Sequence, residues 1–123
     1  MKIAGLICQI LLGIVFVVFG SNAFLHFIPM PPPAGHAGEF IGAMFVSGYF
    51  QVVAVLQIVG GLLLLSGRFA SLGLILVGPI VVNILLYHTF LEPSGLPLAI
   101  VVAILSLVVL ASHRQAFAGL VRA

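Results

Sequence analysis

The sequence has very little charge. Four lysine or arginine residues and two glutamates are its formally charged side chains, 5% of 123 residues. A soluble domain of ordinary composition has roughly 25% charged residues, so this chain has too few to build a surface that water would solvate. Because 63% of the residues are hydrophobic, we infer that lipid surrounds most of the molecule.

Cysteine and clusters of basic residues are also scarce. Cys8 is the single cysteine, so these 123 residues provide neither a disulfide nor a C-x-x-C pair for thiol redox chemistry or c-type haem attachment. The basic residues are widely spaced in the sequence: Lys2, Arg68, Arg114 and Arg122. They form no patch of the kind that binds nucleic acid, and no nucleic-acid partner is expected.

The long apolar runs predict four membrane-spanning helices, at about residues 3–27, 49–65, 69–90 and 97–112. Runs of about 17–25 apolar residues cross a bilayer as helices, whereas the edges of an open sheet cannot be satisfied in lipid. The first run is longer than the apolar core of a cleaved signal sequence, and we expect it to be retained. The predicted fold is an all-α membrane four-helix bundle in a single transmembrane domain, residues 1–123.

The gaps between the runs predict the connections. Residues 29–33 are rich in proline and predict a stiff extended segment on the outer side. Residues 39–47 are apolar enough to form a short helix at the membrane interface. The tail from His113 onward is weakly amphipathic and is expected to lie on the inner surface.

The charges are sorted by sign along the chain. All four basic residues fall at a terminus or in the second gap, whereas Glu39 and Glu92 fall in the first and third gaps. Threading the chain through a membrane four times therefore separates the bases from the acids. Cytoplasmic loops carry the excess of lysine and arginine, so we predict a multi-pass protein of the bacterial cytoplasmic (inner) membrane with both termini in the cytoplasm.

Small residues recur at helical spacing along the first two spans and predict the surfaces on which the helices pack. One stripe comprises Gly5, Gln9, Gly13, Phe16 and Gly20, and the second comprises Ala54, Gln57 and Gly61. For Gln57 we expect a hydrogen bond between helices.

Polar side chains gather toward the predicted outer side, where each is a candidate for function. The candidate ligand-binding residues are Asn22, His26, Glu39, Asn83 and His88. Asn22 and His26 share one helix face, because residues four apart lie on the same side of a helix. We expect Glu39 to orient His26. A small-molecule site, such as one for a quinone headgroup, competes here with histidines that bond to loop backbone at helix ends.

A metal ion or b-type haem is a weaker alternative for the same residues. Two imidazoles and a carboxylate are acceptable ligands for Zn²⁺ or Fe²⁺, but the spacing of His26, Glu39 and His88 matches no ligand pattern. Haem bound by two histidines would need facing helices and a wide pocket. No metal site is therefore predicted.

Several segments resemble the small DoxX-like membrane proteins in the same order along the chain. They are residues 20–31 (GSNAFLHFIPMP), 38–43 (GEFIGA), 59–65 (VGGLLLL), 79–83 (PIVVN), His88 and 92–97 (EPSGLP). The resemblance implies a four-helix membrane bundle and a loose association with the membrane subunit of thiosulfate:quinone oxidoreductase. Asn22, His26, Glu39, Asn83 and His88 match the family's pattern. Many relatives have a lysine and a glutamate where this chain has Ala54 and Gln57, so the resemblance does not carry over an ion pair within the membrane.

Two hypotheses of function follow. In the first, the protein is an accessory subunit of a quinone-linked redox system, with a small-molecule pocket under the outer loop and a membrane redox partner or a homo-oligomer as its assembly. In the second, it is a structural or partner-binding membrane protein without a ligand of its own. A small proton-driven transporter is the least favoured reading, because such antiport needs a carboxylate within a span and both glutamates lie in gaps.

Overall fold

A computed structural model of the chain describes residues 2–29 and 33–120. These residues form six α-helices and one 3-10 turn: α1 (Lys2–Leu25), α2 (Gly35–Ser47), α3 (Tyr49–Ser66), α4 (Ala70–Phe90), the turn Pro93–Gly95, α5 (Leu96–Ser112) and α6 (Arg114–Ala118). The predicted all-helical fold is confirmed. The short helix predicted at residues 39–47 exists and begins earlier, at Gly35.

Four segments are long and apolar enough to cross a membrane: Lys2–Leu25, Tyr49–Ser66, Ala70–Phe90 and Pro93–Ser112. Their bounds agree with the predicted spans to within a few residues. The last segment includes the 3-10 turn, which adds length to the shortest of the predicted spans. The chain is therefore a multi-pass membrane protein built as a four-helix bundle.

The four spanning helices occupy the corners of the bundle. α1 packs on α3 and α5, and α4 also packs on α3 and α5, so α1 and α4 lie on diagonal corners. α2 packs on α3, and its Phe40 ring stacks on Tyr87 near the end of α4, with ring centroids 5.7 Å apart. The buried core between the helices consists of Leu12, Phe16, Leu64, Ala70, Leu74, Val77, Ile80, Val81, Val102 and Val109.

The two ends of the bundle carry opposite charges, as the sequence predicts. Gly5 of α1 lies against Ser112 of α5, so both ends of the described chain meet at one end of the bundle. Lys2, Arg68 and Arg114 belong to this basic end, and Glu39 and Glu92 belong to the opposite, acidic end. Residues 30–32 of the predicted Pro-rich loop, and Arg122, lie outside the described residues.

α1 and α3 approach each other so closely that backbone touches backbone. A Cβ atom added at Gly61 would lie 2.8 Å from the Gly13 carbonyl oxygen, and one at Gly13 would lie 2.9 Å from the Gly61 carbonyl oxygen. One at Gly20 would lie 2.9 Å from the carbonyl oxygen of Ala54. The five residues of the α1 stripe are all buried, so this predicted packing surface is confirmed.

Gly60, which directly precedes Gly61 in α3, packs against a different helix. A Cβ at Gly60 would lie 2.5 Å from Val77 Cγ1 on α4, and one at Gly73 of α4 would lie 2.7 Å from the Gly60 carbonyl oxygen. Residues adjacent in a helix are separated by about 100° around its axis. Gly60 and Gly61 therefore allow α3 to pack closely on α4 and on α1 at the same depth.

A buried hydrogen bond ties α1 to the end of α3. Gln9, which is 4% exposed, donates from Nε2 to the carbonyl oxygen of Leu64 at 2.8 Å. The carbonyls in the last turn of a helix lack partners within the helix, so Gln9 satisfies one of them. The bond predicted for Gln57 is not confirmed, because its amide has no hydrogen-bond partner among residues 2–29 and 33–120.

Candidate functional site

Asn22 closes the end of α1. Its Oδ1 accepts a hydrogen bond from the backbone N–H of Ile28 at 2.7 Å, and its Nδ2 donates to the Ile28 carbonyl oxygen at 3.4 Å. The residue is 7% exposed. The Asn22 side chain thus bonds to both the N–H and the carbonyl of Ile28, as a paired backbone segment would. These two bonds fix the segment that leaves the helix.

His26 begins this same segment in the left-handed backbone region, with φ 52°. Its N–H donates to the Asn22 carbonyl oxygen at 2.9 Å, which completes the last helical hydrogen bond. Glycine or asparagine usually takes this position after a helix, because a Cβ atom disfavours positive φ. The side chain is exposed at the acidic end.

Glu39 contacts a histidine, although a different one from that predicted. His36 Nδ1 lies 3.3 Å from Glu39 Oε2, three residues along α2, and the two side chains are 87% and 76% exposed. The imidazole beside Glu39 is thus His36 rather than His26. An ion pair this exposed contributes little to stability, about 0–1 kcal/mol.

His88 bonds to loop backbone, as one of the two alternatives for the histidines predicts. Its Nδ1 lies 3.0 Å from the Glu92 carbonyl oxygen, and its ring lies directly against Gly95, where a Cβ would overlap the imidazole. Since a carbonyl only accepts, Nδ1 carries the proton, and in the neutral ring Nε2 is left as an acceptor. The Glu92 carboxylate accepts instead from the Ser94 hydroxyl.

Asn83 bonds within its own helix. Nδ2 donates to the Pro79 carbonyl oxygen at 3.0 Å, and the side chain is exposed. It therefore makes none of the contacts to the other candidates that a shared site would require.

Three rings meet at the acidic end, which no sequence pattern predicts. Phe40 stacks on Tyr87, and Tyr87 meets His88 edge-on with centroids 4.9 Å apart. A second stack joins Phe45 and Phe50, with centroids 4.3 Å apart. These stacks depend on how α2 folds back, and the sequence shows only that α2 is apolar.

Among the described residues, none of the side-chain hydrogen bonds given above joins one candidate residue to another. Asn22 lies in α1 and His26 directly follows it, whereas Asn83 and His88 come from the diagonal helix α4. Two open depressions of about 390 and 410 Å³ lie instead at the basic end, along α5 and α6, and Arg114 lines both of them. Within the described ranges 2–29 and 33–120, no three His, Cys, Asp or Glu side chains are grouped to hold a metal ion.

The acidic end presents aromatic surfaces, the Nε2 acceptor of His88 and the exposed imidazoles of His26 and His36. Its hydrogen bonds also close the ends of α1 and α4. The resemblance to DoxX-like proteins remains a prediction from the sequence. Comparison with protein-family models, with curated proteins and with solved structures gives no match to this chain.

Proposed function

We propose that the protein is a structural or partner-binding membrane protein whose polar residues shape its helix ends. The observation that carries this proposal is the paired hydrogen bonding of Asn22 to Ile28. A side chain that spends both an acceptor and a donor on its own loop has a structural role that explains its presence in an apolar helix.

The other candidates support the same conclusion. His88 stabilises the connection after α4 through the Glu92 carbonyl, and His36 and Glu39 pair on the surface of α2. Because α1 and α4 are diagonal, a ligand that touched Asn22 and Asn83 together would have to bridge the bundle. The proposal needs no such ligand.

One observation favours the redox hypothesis as a second candidate. The ring cluster of Phe40, Tyr87 and His88 offers flat surfaces that suit a quinone ring, and its nitrogen acceptor suits the hydroxyl group of the reduced quinol. In this reading the protein is a DoxX-like accessory subunit in the inner membrane, and the site is formed by the cluster rather than by all five candidates.

Purification in mild detergent distinguishes the two proposals. The preparation is analysed by mass spectrometry for bound proteins and quinones and by metal analysis, and ubiquinone and menaquinone analogues are added in a thermal-shift assay. A stable complex with another copy or another protein, with no quinone bound and no thermal shift, is the expected result. Bound quinone with a thermal shift would overturn the structural proposal in favour of the redox one.

Matched variants assign any quinone effect to the cluster. Phe40→Leu removes the ring that stacks on Tyr87, whereas Phe45→Leu removes the ring that stacks on Phe50. Both lose one aromatic contact of α2, so their stabilities should fall by similar amounts. If only Phe40→Leu abolishes a quinone-induced thermal shift, the redox proposal is supported. If both variants have the same effect on that shift, the rings contribute to packing and not to quinone binding.

A further inference from the structure

The exposed face of α4 differs from the exposed faces of the other spans. Along it lie Leu72, Ile75, Pro79, Val82, Asn83, Leu86 and Phe90. Among the described residues of the four spanning helices, Asn83 is the one exposed carboxamide, since Gln9 and Asn22 are buried and Gln51 and Gln57 are partly buried. The exposed faces of α1, α3 and α5 offer lipid mainly apolar side chains.

Asn83 lies at a depth where an unpaired amide is costly. It is seven residues before the end of α4 at Phe90, which is about 10 Å along the helix at 1.5 Å per residue. One N–H of its Nδ2 is used on the Pro79 carbonyl. The second N–H and Oδ1 have no partner among residues 2–29 and 33–120, and hydrocarbon cannot supply one.

Pro79 leaves a second polar group on the same face. The helix runs through Pro79 without interruption, yet proline has no N–H to donate to the carbonyl of Ile75, four residues earlier. Both Ile75 and Pro79 are exposed. The face therefore combines an amide that uses only one of its hydrogen-bonding groups among the described residues with a backbone carbonyl that has lost its usual donor.

We propose that two copies of this chain pair in the membrane through the exposed face of α4, with the Asn83 side chains of the two copies bonded to each other. An amide is self-complementary: the free N–H of each Asn83 can donate to the Oδ1 of the other. Copies inserted with the same orientation are related by a two-fold axis along the membrane normal, which brings identical residues together at the same depth.

A second copy suits this face better than a charged partner does, because the face carries no charged side chain. At Gly78, beside Pro79, an added Cβ would meet nothing within 4 Å among residues 2–29 and 33–120, so no other helix of the same copy covers that side of α4. The pairing does not rest on the function proposed above: a complex with another copy is one of the results expected there, but a quinone-binding protein would leave Asn83 equally exposed.

Cysteine cross-linking in reconstituted vesicles tests the pairing. In a full-length Cys8→Ser background, Leu86→Cys places a thiol on the α4 face one turn beyond Asn83, and Val101→Cys places one on α5. These positions are matched in exposure, 49% and 50%, and both belong to the half of their helix nearer the acidic end. We expect oxidation at low protein-to-lipid ratio to give disulfide-linked dimers of Leu86→Cys in several-fold excess over Val101→Cys.

Asn83 variants made on the Leu86→Cys chain test the hydrogen bond. Asn83→Leu should weaken dimerisation about tenfold, the effect of losing roughly 1–2 kcal/mol of interhelical bonding, and Asn83→Gln should keep most of the dimer. Helicity and thermal stability of each variant show that the monomer still folds. Equal cross-linking at the two cysteine positions, or unchanged cross-linking in Asn83→Leu, would overturn the proposal. In native membranes, a cross-link from Leu86→Cys to a different protein, without homodimer, would also overturn it.

Discussion

The contacts between spans and the contacts at the acidic end are built differently. Between spans, Gly13, Gly61 and Gly73 bring backbones of distant segments together, and Gln9 bonds to a residue 55 positions away. At the acidic end, Asn22 bonds six residues ahead and His88 bonds four residues ahead. The spans are thus joined by long-range packing, whereas the acidic end, apart from the stack of Phe40 on Tyr87, is held by local hydrogen bonds. Substitutions between spans should therefore unfold the bundle, and those at the acidic end should loosen one segment.

Substitution of Gly61 should have the largest effect. In Gly61→Ala the new Cβ meets the Gly13 carbonyl at 2.8 Å and the Val17 nitrogen at 3.0 Å, which forces α1 and α3 apart. Overpacking of this kind costs about 1–3 kcal/mol, and more when backbone must move. The measurement is the free energy of unfolding in mixed detergent micelles.

Gly78→Ala is the matched control for Gly61→Ala. A Cβ at Gly78 meets nothing within 4 Å, and alanine favours helix over glycine by about 0.5–1 kcal/mol. This variant should be neutral or slightly stabilised. If the two glycine variants lost equal stability, close backbone approach would not be what holds the spans.

Gln9→Leu should come next. The variant removes the donor to the Leu64 carbonyl and leaves a buried acceptor unpaired, at a cost of about 1–3 kcal/mol. Gln57→Leu is the control, because the Gln57 amide makes no hydrogen bond among the described residues. Its stability should change by much less. A larger loss of stability in Gln57→Leu than in Gln9→Leu would contradict this expectation. It would show that the Gln57 amide contributes more to stability than the bond from Gln9 to the end of α3.

Asn22→Leu should cost about 1–2 kcal/mol, because it frees both backbone groups of Ile28. The effect should be local: hydrogen exchange at the Ile28 amide accelerates while exchange in the middle of α3 is unchanged. Ser106→Ala is the control, since among the described residues that hydroxyl bonds only to the Val102 carbonyl in its own helix. Faster hydrogen exchange throughout α3 in Asn22→Leu would contradict this prediction, because it would show that losing the bonds to Ile28 destabilises the packing between the spans as well.

His26→Gly should have the smallest effect and the opposite sign. Glycine adopts φ 52° without the steric cost that histidine bears, so the variant should be neutral or more stable by up to about 1 kcal/mol. His26→Val, with a β-branched side chain, should be less stable than the original chain. The thermal midpoints of the three proteins check the order, and a marked loss in His26→Gly would give the imidazole a structural role.

The sequence predicts the helices better than it predicts their partners. Span lengths follow from apolar runs, and the α1 stripe follows from glycine spacing, because both are properties of one segment. The separation of basic and acidic ends follows from alternation alone. The predicted short helix was placed four residues late, because residues 35–38 include two glycines, which disfavour helix.

The partners of the polar side chains depend on three-dimensional arrangement, which periodicity does not contain. Asn22 and Asn83 are similar in sequence context, yet one is buried and closes a loop, and the other is exposed on α4. Glu39 lies three residues after His36, and because α2 begins at Gly35 the two share one helix face, which the predicted helix start at residue 39 did not show. No pattern indicates that α1 and α4 are diagonal, which places Asn22 and Asn83 on opposite corners of the bundle.

The paired glycines at 60 and 61 also limit how the protein can move. If α3 rotated about its own axis, Gly60 would swing away from α4 and a side chain would strike the backbone of α1. The two neighbouring helices therefore restrict the rotation of α3, and α1, α3 and α4 should shift as one rigid body. The close glycine contacts described above do not include α2, so spin labels on that helix should report a conformational change first.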